Sequence, residues 1–391
     1  MSDITYLGRT NGRYTPVTFG QKQADRFFHT YAIGRTGTGK TSLIETMALQ
    51  DIRAGHGLAV FDPHGDLAAR LVSQVPVDRA ADLLYLDVPN PCLEYGYNPL
   101  GNVRPENVAL AASGLIAAFE KIWGGREWGV RMAHILRNSL FALIESGDAT
   151  LPDILRMLTD TKYRAQVLTR VRNPQVRDFW FGEYAKYPPP HRQQSIAPIQ
   201  NKIGAFLADP RLYRLLTASS NAIDLRTAMD DGKILVVNLA KGLLGEDSAS
   251  LLGALLVSTL SAAAFSRADT PEHLRRDFVV YIDEFQSFTT LAVANMVSEL
   301  RKMRLALVLS HQHLDQLVPE VRSAVLGNVG TTILFRLGAD DAATFAREFA
   351  PVFHASDLID VPNYTIRLKL MIDGTPSRPF SATTLTPDML C

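Results

Sequence analysis

Short apolar runs alternate along the chain with stretches whose apolar residues recur every three or four positions. Residues 29–33, 58–61, 83–86, 234–237, 278–282, 306–309 and 332–335 are predominantly apolar over strand length, broken only by His29, Thr30 and Thr332. Strands with no polar alternation are expected where both faces of a parallel sheet are covered. Residues 41–53 place Leu43, Ile44, Met47, Ala48 and Ile52 at helical spacing, and Gly55 is positioned to end the helix. Strands alternating with helices predict a doubly wound α/β core. From Tyr364 onward, two extended stretches flank Asp373-Gly374 and predict a hairpin.

Between residues 103 and 215 the pattern is helical, with breaks at Gly124-Gly125, Pro152, Pro174 and Pro188-Pro189-Pro190. This predicts an all-α domain at 103–215 inserted into an α/β core formed by 1–102 and 216–391. Trp123, Trp128 and Trp180, the chain's three tryptophans, all fall in the insert, as core residues or as stacking groups. The longest apolar run, residues 251–265, falls short of the roughly 20 residues that cross a bilayer. Ser258, Thr259 and Ser261 interrupt it and Glu246 and Asp247 precede it, so a buried core helix is expected.

Composition narrows the class. A chain of 391 residues with 47% hydrophobic and 20% charged residues suits two globular domains and excludes a disordered or collagen-like protein. Residues 1–13 are polar, without the apolar core of a signal peptide. Cys92 and Cys391 are the only cysteines; they supply neither a disulfide framework nor a thiolate metal site, and a reducing cytoplasm fits. Net charge is zero, so no global basic field points to nucleic acid. Locally, residues 103–215 carry 16 Lys and Arg against 10 Asp and Glu.

Gly34-Arg35-Thr36-Gly37-Thr38-Gly39-Lys40-Thr41 matches G-x-x-x-x-G-K-[ST] in full. The fixed positions arise by chance in about one of a hundred chains of this length, given ordinary residue frequencies. A predicted strand before it and a helix after it make chance less adequate still. Glycines let backbone N–H groups curl around phosphate oxygens at a helix N-terminus. Gly34 through Ser42 are therefore the expected nucleotide-binding residues. Lys40 would meet the β- and γ-phosphates, and the Thr41 hydroxyl would ligate Mg²⁺. Residues 278–282 end in Asp283-Glu284, which delivers two carboxylates to the C-terminal edge of the sheet, where α/β sites lie. Asp283 is the candidate for the Mg²⁺ shell and Glu284 for polarising the attacking water. ATP and Mg²⁺ are the expected cofactors.

Together these residues resemble the TraG/TraD conjugative coupling ATPases, within the wider HerA/FtsK group of hexameric pumps. The landmarks are GRTGTGKTSL at 34–43, FDPHGDL at 61–67, YNPL at 97–100, YIDEFQSF at 281–288, SHQHLDQL at 310–317 and GNVGTTILFRLGADDA at 327–342. The resemblance runs from about Phe19 to Leu385 and implies a RecA-like core with an inserted all-α domain. It implies that Gln312 senses the γ-phosphate. It also implies an arginine acting in trans on a neighbour's ATP, for which Arg301 matches the position and Arg336 is a second candidate. Asp62 and His64 lie near the nucleotide edge, where a structural turn explains them equally. Members of the family carry transmembrane helices ahead of the phosphate loop. Here 33 residues precede Gly34 and none span, so the expectation is a cytoplasmic protein, free or held at the inner membrane through a partner.

The function expected is an ATP-driven homo-hexameric DNA translocase that grips DNA through phosphates in a central channel, without sequence readout. A relaxosome-like or membrane-anchoring protein is a possible partner. Two alternatives stand beside it: a secretion-system ATPase acting on protein, and a nucleotide-switched adaptor that recruits a DNA–protein complex.

Overall fold

The computed structural model describes residues 4–11, 15–92, 94–124, 128–218 and 221–390; Gly125 and Cys391 lie outside them. The strands are β1 (Ile4–Thr10), β2 (Thr18–Lys22), β3 (Thr30–Ile33), β4 (Gly57–Asp62), β5 (Leu83–Asp87), β6 (Ile234–Asn238), β7 (Phe278–Ile282), β8 (Leu305–His311), β9 (Thr331–Leu334), β10 (Thr365–Lys369), β11 (Met371–Ile372), β12 (Thr375–Pro376) and β13 (Phe380–Thr384). Each of the seven apolar runs forms a strand, and the predicted first helix is Lys40–Ala54. One sheet takes the order β2-β1-β13-β10-β9-β3-β8-β7-β4-β6-β5. Its centre, β9-β3-β8-β7-β4-β6, is parallel. At one side β10, β13, β1 and β2 continue it antiparallel, which the expectation of a doubly wound sheet did not include. β11 and β12 pair around Asp373-Gly374 as the expected hairpin, with both turn residues at positive φ.

The chain divides into two compact units. One comprises Met1–Tyr85, Arg226–Ala240 and Arg267–Cys391; the other comprises Leu86–Leu225 and Lys241–Ser266. The first holds the sheet's parallel centre. Its core is built from β-branched and aliphatic residues such as Ile44, Leu58, Val60, Val236, Val279, Val308 and Ile333. A buried ion pair ties its start together. Arg26 donates to both carboxylate oxygens of Asp51 (2.5 and 2.8 Å) and to the Tyr281 hydroxyl (2.7 Å). Burial opposes the charge on Arg26, but Asp51 and Tyr281 hold its pKa above the ordinary value.

The second unit is helical, and it is larger than the 103–215 expected, because the helix Glu246–Ser266 belongs to it. That helix is long and apolar enough to cross a membrane by length and composition, yet 67% of its apolar window is buried. It packs on the helix Val108–Trp123. Gly114 permits the approach, since a Cβ there would lie 3.3 Å from the Ser258 Cβ. Tyr97 and Thr259 share a hydrogen bond of 2.8 Å within the same unit. Trp180 is a core residue, 2% exposed, with its indole N–H donating to the Asn138 carbonyl. Trp123 stacks on Phe119 at 4.6 Å.

Candidate functional site

The parallel strands end together along one edge, and hydrogen bonds fix their ends. Gly34 N–H donates to the His311 carbonyl, Arg35 N–H to the Arg336 carbonyl, and Asp283 N–H to the Phe61 carbonyl. β3 therefore delivers the glycine loop between β8 and β9, and β7 delivers Asp283 and Glu284 beside it. The loop is glycine-dependent at defined points. Gly37 and Gly39 have φ of 75° and 118°, and a Cβ on Gly34 would come within 2.5 Å of the Phe335 Cβ.

Lys40 folds back over the loop it belongs to, and its Nζ donates to the carbonyls of Gly34 (2.6 Å) and Arg35 (3.1 Å). Burial lowers its pKa, while Glu284 and Asp283 act against that shift. Thr38 Oγ1 donates to the Arg35 carbonyl at 2.7 Å, which stiffens the same turn. Arg35, Thr36 and Gly37 are exposed at the loop tip, and Thr41 and Ser42 are half-buried in the first helical turn.

The carboxylates are held differently. Asp283 is buried, and burial raises its pKa above the usual carboxylate range. Its Oδ2 accepts from Thr41 Oγ1 at 2.8 Å, and its Oδ1 accepts from Glu284 N–H at 3.0 Å and from Ser310 Oγ. Glu284 adopts a left-handed backbone, φ 48°, an uncommon conformation for a non-glycine residue that clusters at functional sites. Its Oε1 accepts from Gln312 Nε2 at 2.8 Å and its Oε2 from Gln286 Nε2 at 2.5 Å. Gln312 Oε1 in turn accepts from Thr36 Oγ1 at 2.9 Å. A hydrogen-bonded chain thus runs from the tip of the glycine loop through Gln312 to Glu284. Beside it, His311 is buried against Tyr31, whose hydroxyl meets its Nε2 at 2.5 Å; burial pushes the His311 pKa down to about 3.

The two arginine candidates fall in different places. Arg336 follows β9; its carbonyl binds Arg35 N–H and its Nη2 donates to Asn363 Oδ1 at 3.1 Å, so it flanks its own chain's loop. Arg301 precedes β8, at the end of the sheet opposite Gly34, and β8 puts about 20 Å between them at ~3.3 Å per residue. Arg301 is exposed, with its guanidinium carbon 3.6 Å over the Phe28 ring. The Asp62 carboxylate is engaged in its own turn: it accepts the N–H groups of His64 (2.8 Å) and of Ala68 (2.9 Å), the latter in the first turn of the helix Asp66–Ser73. The structural turn is the explanation of FDPHGD that the geometry bears, and His64 is exposed on it.

Ser310 and Gln286 escaped the sequence reading. The signal for Ser310 was a single polar residue closing the apolar run Leu305–Leu309; for Gln286 there was none beyond its nearness to Glu284. Among the described residues no cluster of three or more His, Cys, Asp or Glu side chains could hold a metal ion.

No family model matches the chain, and no curated protein matches it. Solved structures do. The plasmid coupling protein TrwB, in complex with the non-hydrolysable GTP analogue GDPNP, superposes with a TM-score of 0.69 at 14% identity, over 98% of this chain and 96% of that one. TrwB in complex with ADP and Mg²⁺ gives 0.67 at 13% identity, over 99% and 96%. VirB4 of Thermoanaerobacter pseudethanolicus gives 0.66 at 15% identity, over 97% and 96%. At these identities the likeness is one of fold: the chain has the α/β, RecA-like architecture with its all-α domain.

Proposed function

We propose that this chain is a magnesium-dependent ATPase and, within that class, a motor that couples ATP hydrolysis to DNA transport in the manner of conjugative coupling proteins. The observation that carries the proposal is the continuous arrangement Thr36–Gln312–Glu284 beside Thr41–Asp283, all at the mouth of one glycine loop. Such an arrangement joins a phosphate cradle, a metal shell and a general base. It links the exposed loop tip at Thr36 to two buried carboxylates, Asp283 and Glu284.

Each residue has a task. Lys40, whose Nζ lies over the loop at the Gly34 and Arg35 carbonyls, would meet the β- and γ-phosphates. Thr41 and Asp283 are the residues that would hold Mg²⁺. They fit, because a hydroxyl and a carboxylate, 2.8 Å apart at the loop, are the oxygen donors that Mg²⁺ takes. The metal, when bound, neutralises charge on the β- and γ-phosphate oxygens. Glu284 would accept the proton of the attacking water, and Gln312, bonded to both Glu284 and Thr36, would transmit the presence of a γ-phosphate from the loop to the base. Arg301 would act on the nucleotide of a neighbouring subunit, as an arginine in trans must, because its own loop is at the far end of β8. Arg336, which flanks its own loop, is the weaker candidate for that role.

A closed ring of subunits, a homo-hexamer, would place every Arg301 at an interface. DNA would be held through its phosphates, and the residues between 103 and 215, with their surplus of basic side chains, would meet the DNA or its protein escort. The structural neighbours, a bacterial conjugative coupling protein and VirB4, support the placement in conjugation or type IV secretion. Glu284→Gln tests the chemistry: ATP should still bind while hydrolysis falls roughly 10²-fold or more. Hydrolysis at the parent rate would remove Glu284 from the mechanism.

A further inference from the structure

Tyr364 enters β10 with a left-handed backbone, φ 61°, although it is not glycine. Its conformation is held from both sides. The Tyr364 N–H donates to the Thr38 carbonyl inside the glycine loop at 2.8 Å. Its carbonyl accepts the Thr384 N–H at 2.8 Å and the Thr384 hydroxyl at 3.2 Å, from β13. The ring lies against Gly39, the residue that opens the helix Lys40–Ala54: a Cβ there would stand 2.9 Å from the Tyr364 Cδ1 and 3.4 Å from its Cε1. Even so, the residue is 44% exposed.

Core packing does not account for these features. A tyrosine needed as filler would be buried, and a residue needed only for the turn would be Gly or Asn at this φ. What the clamp secures is a partly exposed tyrosine whose ring lies beside Gly39, at the N-terminus of the phosphate-binding helix. The triphosphate is confined to the loop, so the base of a bound nucleotide must lie beyond it, within reach of a neighbouring surface.

We infer that the Tyr364 ring is the platform on which the base of the bound nucleoside triphosphate stacks. The inference rests on the reading of Gly34–Ser42 as the phosphate site. A ring face reads a base through its π surface and not through its hydrogen-bonding edge. The platform therefore serves adenine and guanine alike, and the chain accepts ATP and GTP with similar affinity. The covalent part of the reaction takes place at the other end of the nucleotide, so Tyr364 is a binding and positioning residue.

Isothermal titration with ATP, GTP and inorganic tripolyphosphate, each with Mg²⁺, tests this in the full chain and in three variants. Tyr364→Phe keeps the ring. Tyr364→Asn removes it while tolerating the left-handed backbone. Lys40→Ala attacks the phosphate cradle. Tyr364→Asn is expected to lose roughly 10-fold in affinity for ATP and for GTP, in line with the loss of one aromatic stack, and to bind tripolyphosphate as the parent does. Tyr364→Phe is expected to bind all three as the parent does. Retained tripolyphosphate binding also certifies that the loop is intact. The inference is overturned if Tyr364→Asn binds ATP like the parent, or if it loses tripolyphosphate to the same degree as ATP, which would make the ring a prop for the loop. A parent that ignores tripolyphosphate, or a Lys40→Ala variant that binds it unimpaired, would overturn the phosphate-site reading itself and the platform with it.

Discussion

Burial presses two residues of the site toward their neutral forms, and each gives a measurable consequence. Lys40 is a buried cation satisfied by two carbonyls of its own loop. Lys40→Ala removes the charge for the β- and γ-phosphates, so ATP binding weakens and hydrolysis is abolished; unchanged turnover in the purified variant would refute the assignment. Asp283 is a buried carboxylate with a raised pKa. The sign follows from linkage: the folded state favours the protonated form, so the ionised carboxylate subtracts stability at neutral pH, and that penalty is released as pH falls through the raised pKa. Asp283→Asn is isosteric, and Thr41 Oγ1 can accept from its amide. Thermal melts without nucleotide should show the variant more stable than the parent at neutral pH, with the difference closing at mildly acidic pH, while its Mg²⁺-dependent hydrolysis is lost. A variant less stable at neutral pH would mean that the Ser310 and Thr41 hydrogen bonds outweigh the cost of burial.

At the scale of elements, much of the site was legible. The glycine loop needs its strand and its helix, and the apolar run 29–33 and the periodic stretch 41–53 supplied both around Gly34–Thr41. Phe278–Ile282 is uniformly apolar and buried, so the carboxylates at its end had to emerge at the sheet edge. β1 and β2 were not legible, because Ile4–Thr10 and Thr18–Lys22 carry Gly, Thr, Arg and Lys among their few apolar residues, and β13, the strand that joins β1 to the rest of the sheet, lies at the far end of the chain in sequence. The extent of the helical unit was missed for a related reason: the apolar run 251–265 reveals that it is buried but not what covers it. Arg26 was also invisible from sequence, since a lone arginine gives no sign of the Asp51 and Tyr281 it meets in the fold. That trio pins the segment before β3 to the first helix and to β7. Arg26→Ala leaves Asp51 and Tyr281 buried without it and should cost about 3–5 kcal/mol by denaturant unfolding. A loss below 1 kcal/mol would mean that the pair only replaces equally good packing.

The proposed mechanism makes hydrolysis a property of the assembly. Arg301 sits at the opposite end of β8 from its own loop and stacks on Phe28 at the surface. Arg301→Ala should bind ATP normally and lose about 10³-fold in hydrolysis, the typical worth of an arginine acting in trans. Mixing Arg301→Ala with Lys40→Ala subunits should restore part of the activity, because some interfaces then join an intact loop to an intact arginine. No recovery in verified mixed oligomers would count against Arg301, and the same mixture made with Arg336→Ala separates the two candidates. Removing residues 103–215 is a poorer test of DNA coupling than the sequence pattern alone implies, since the apolar helix Glu246–Ser266 would lose the helix Val108–Trp123 that it packs against.

The most direct test of the whole account is the rate of Mg²⁺-dependent ATP hydrolysis by the purified chain with and without added DNA, single- and double-stranded, run beside Glu284→Gln. The account predicts turnover in the parent that rises when DNA is added, and a fall of roughly 10²-fold or more in the variant with DNA present. Turnover indifferent to both forms of DNA would contradict the DNA motor and favour an ATPase that acts on protein or a nucleotide-switched adaptor; no turnover at all would contradict the ATPase.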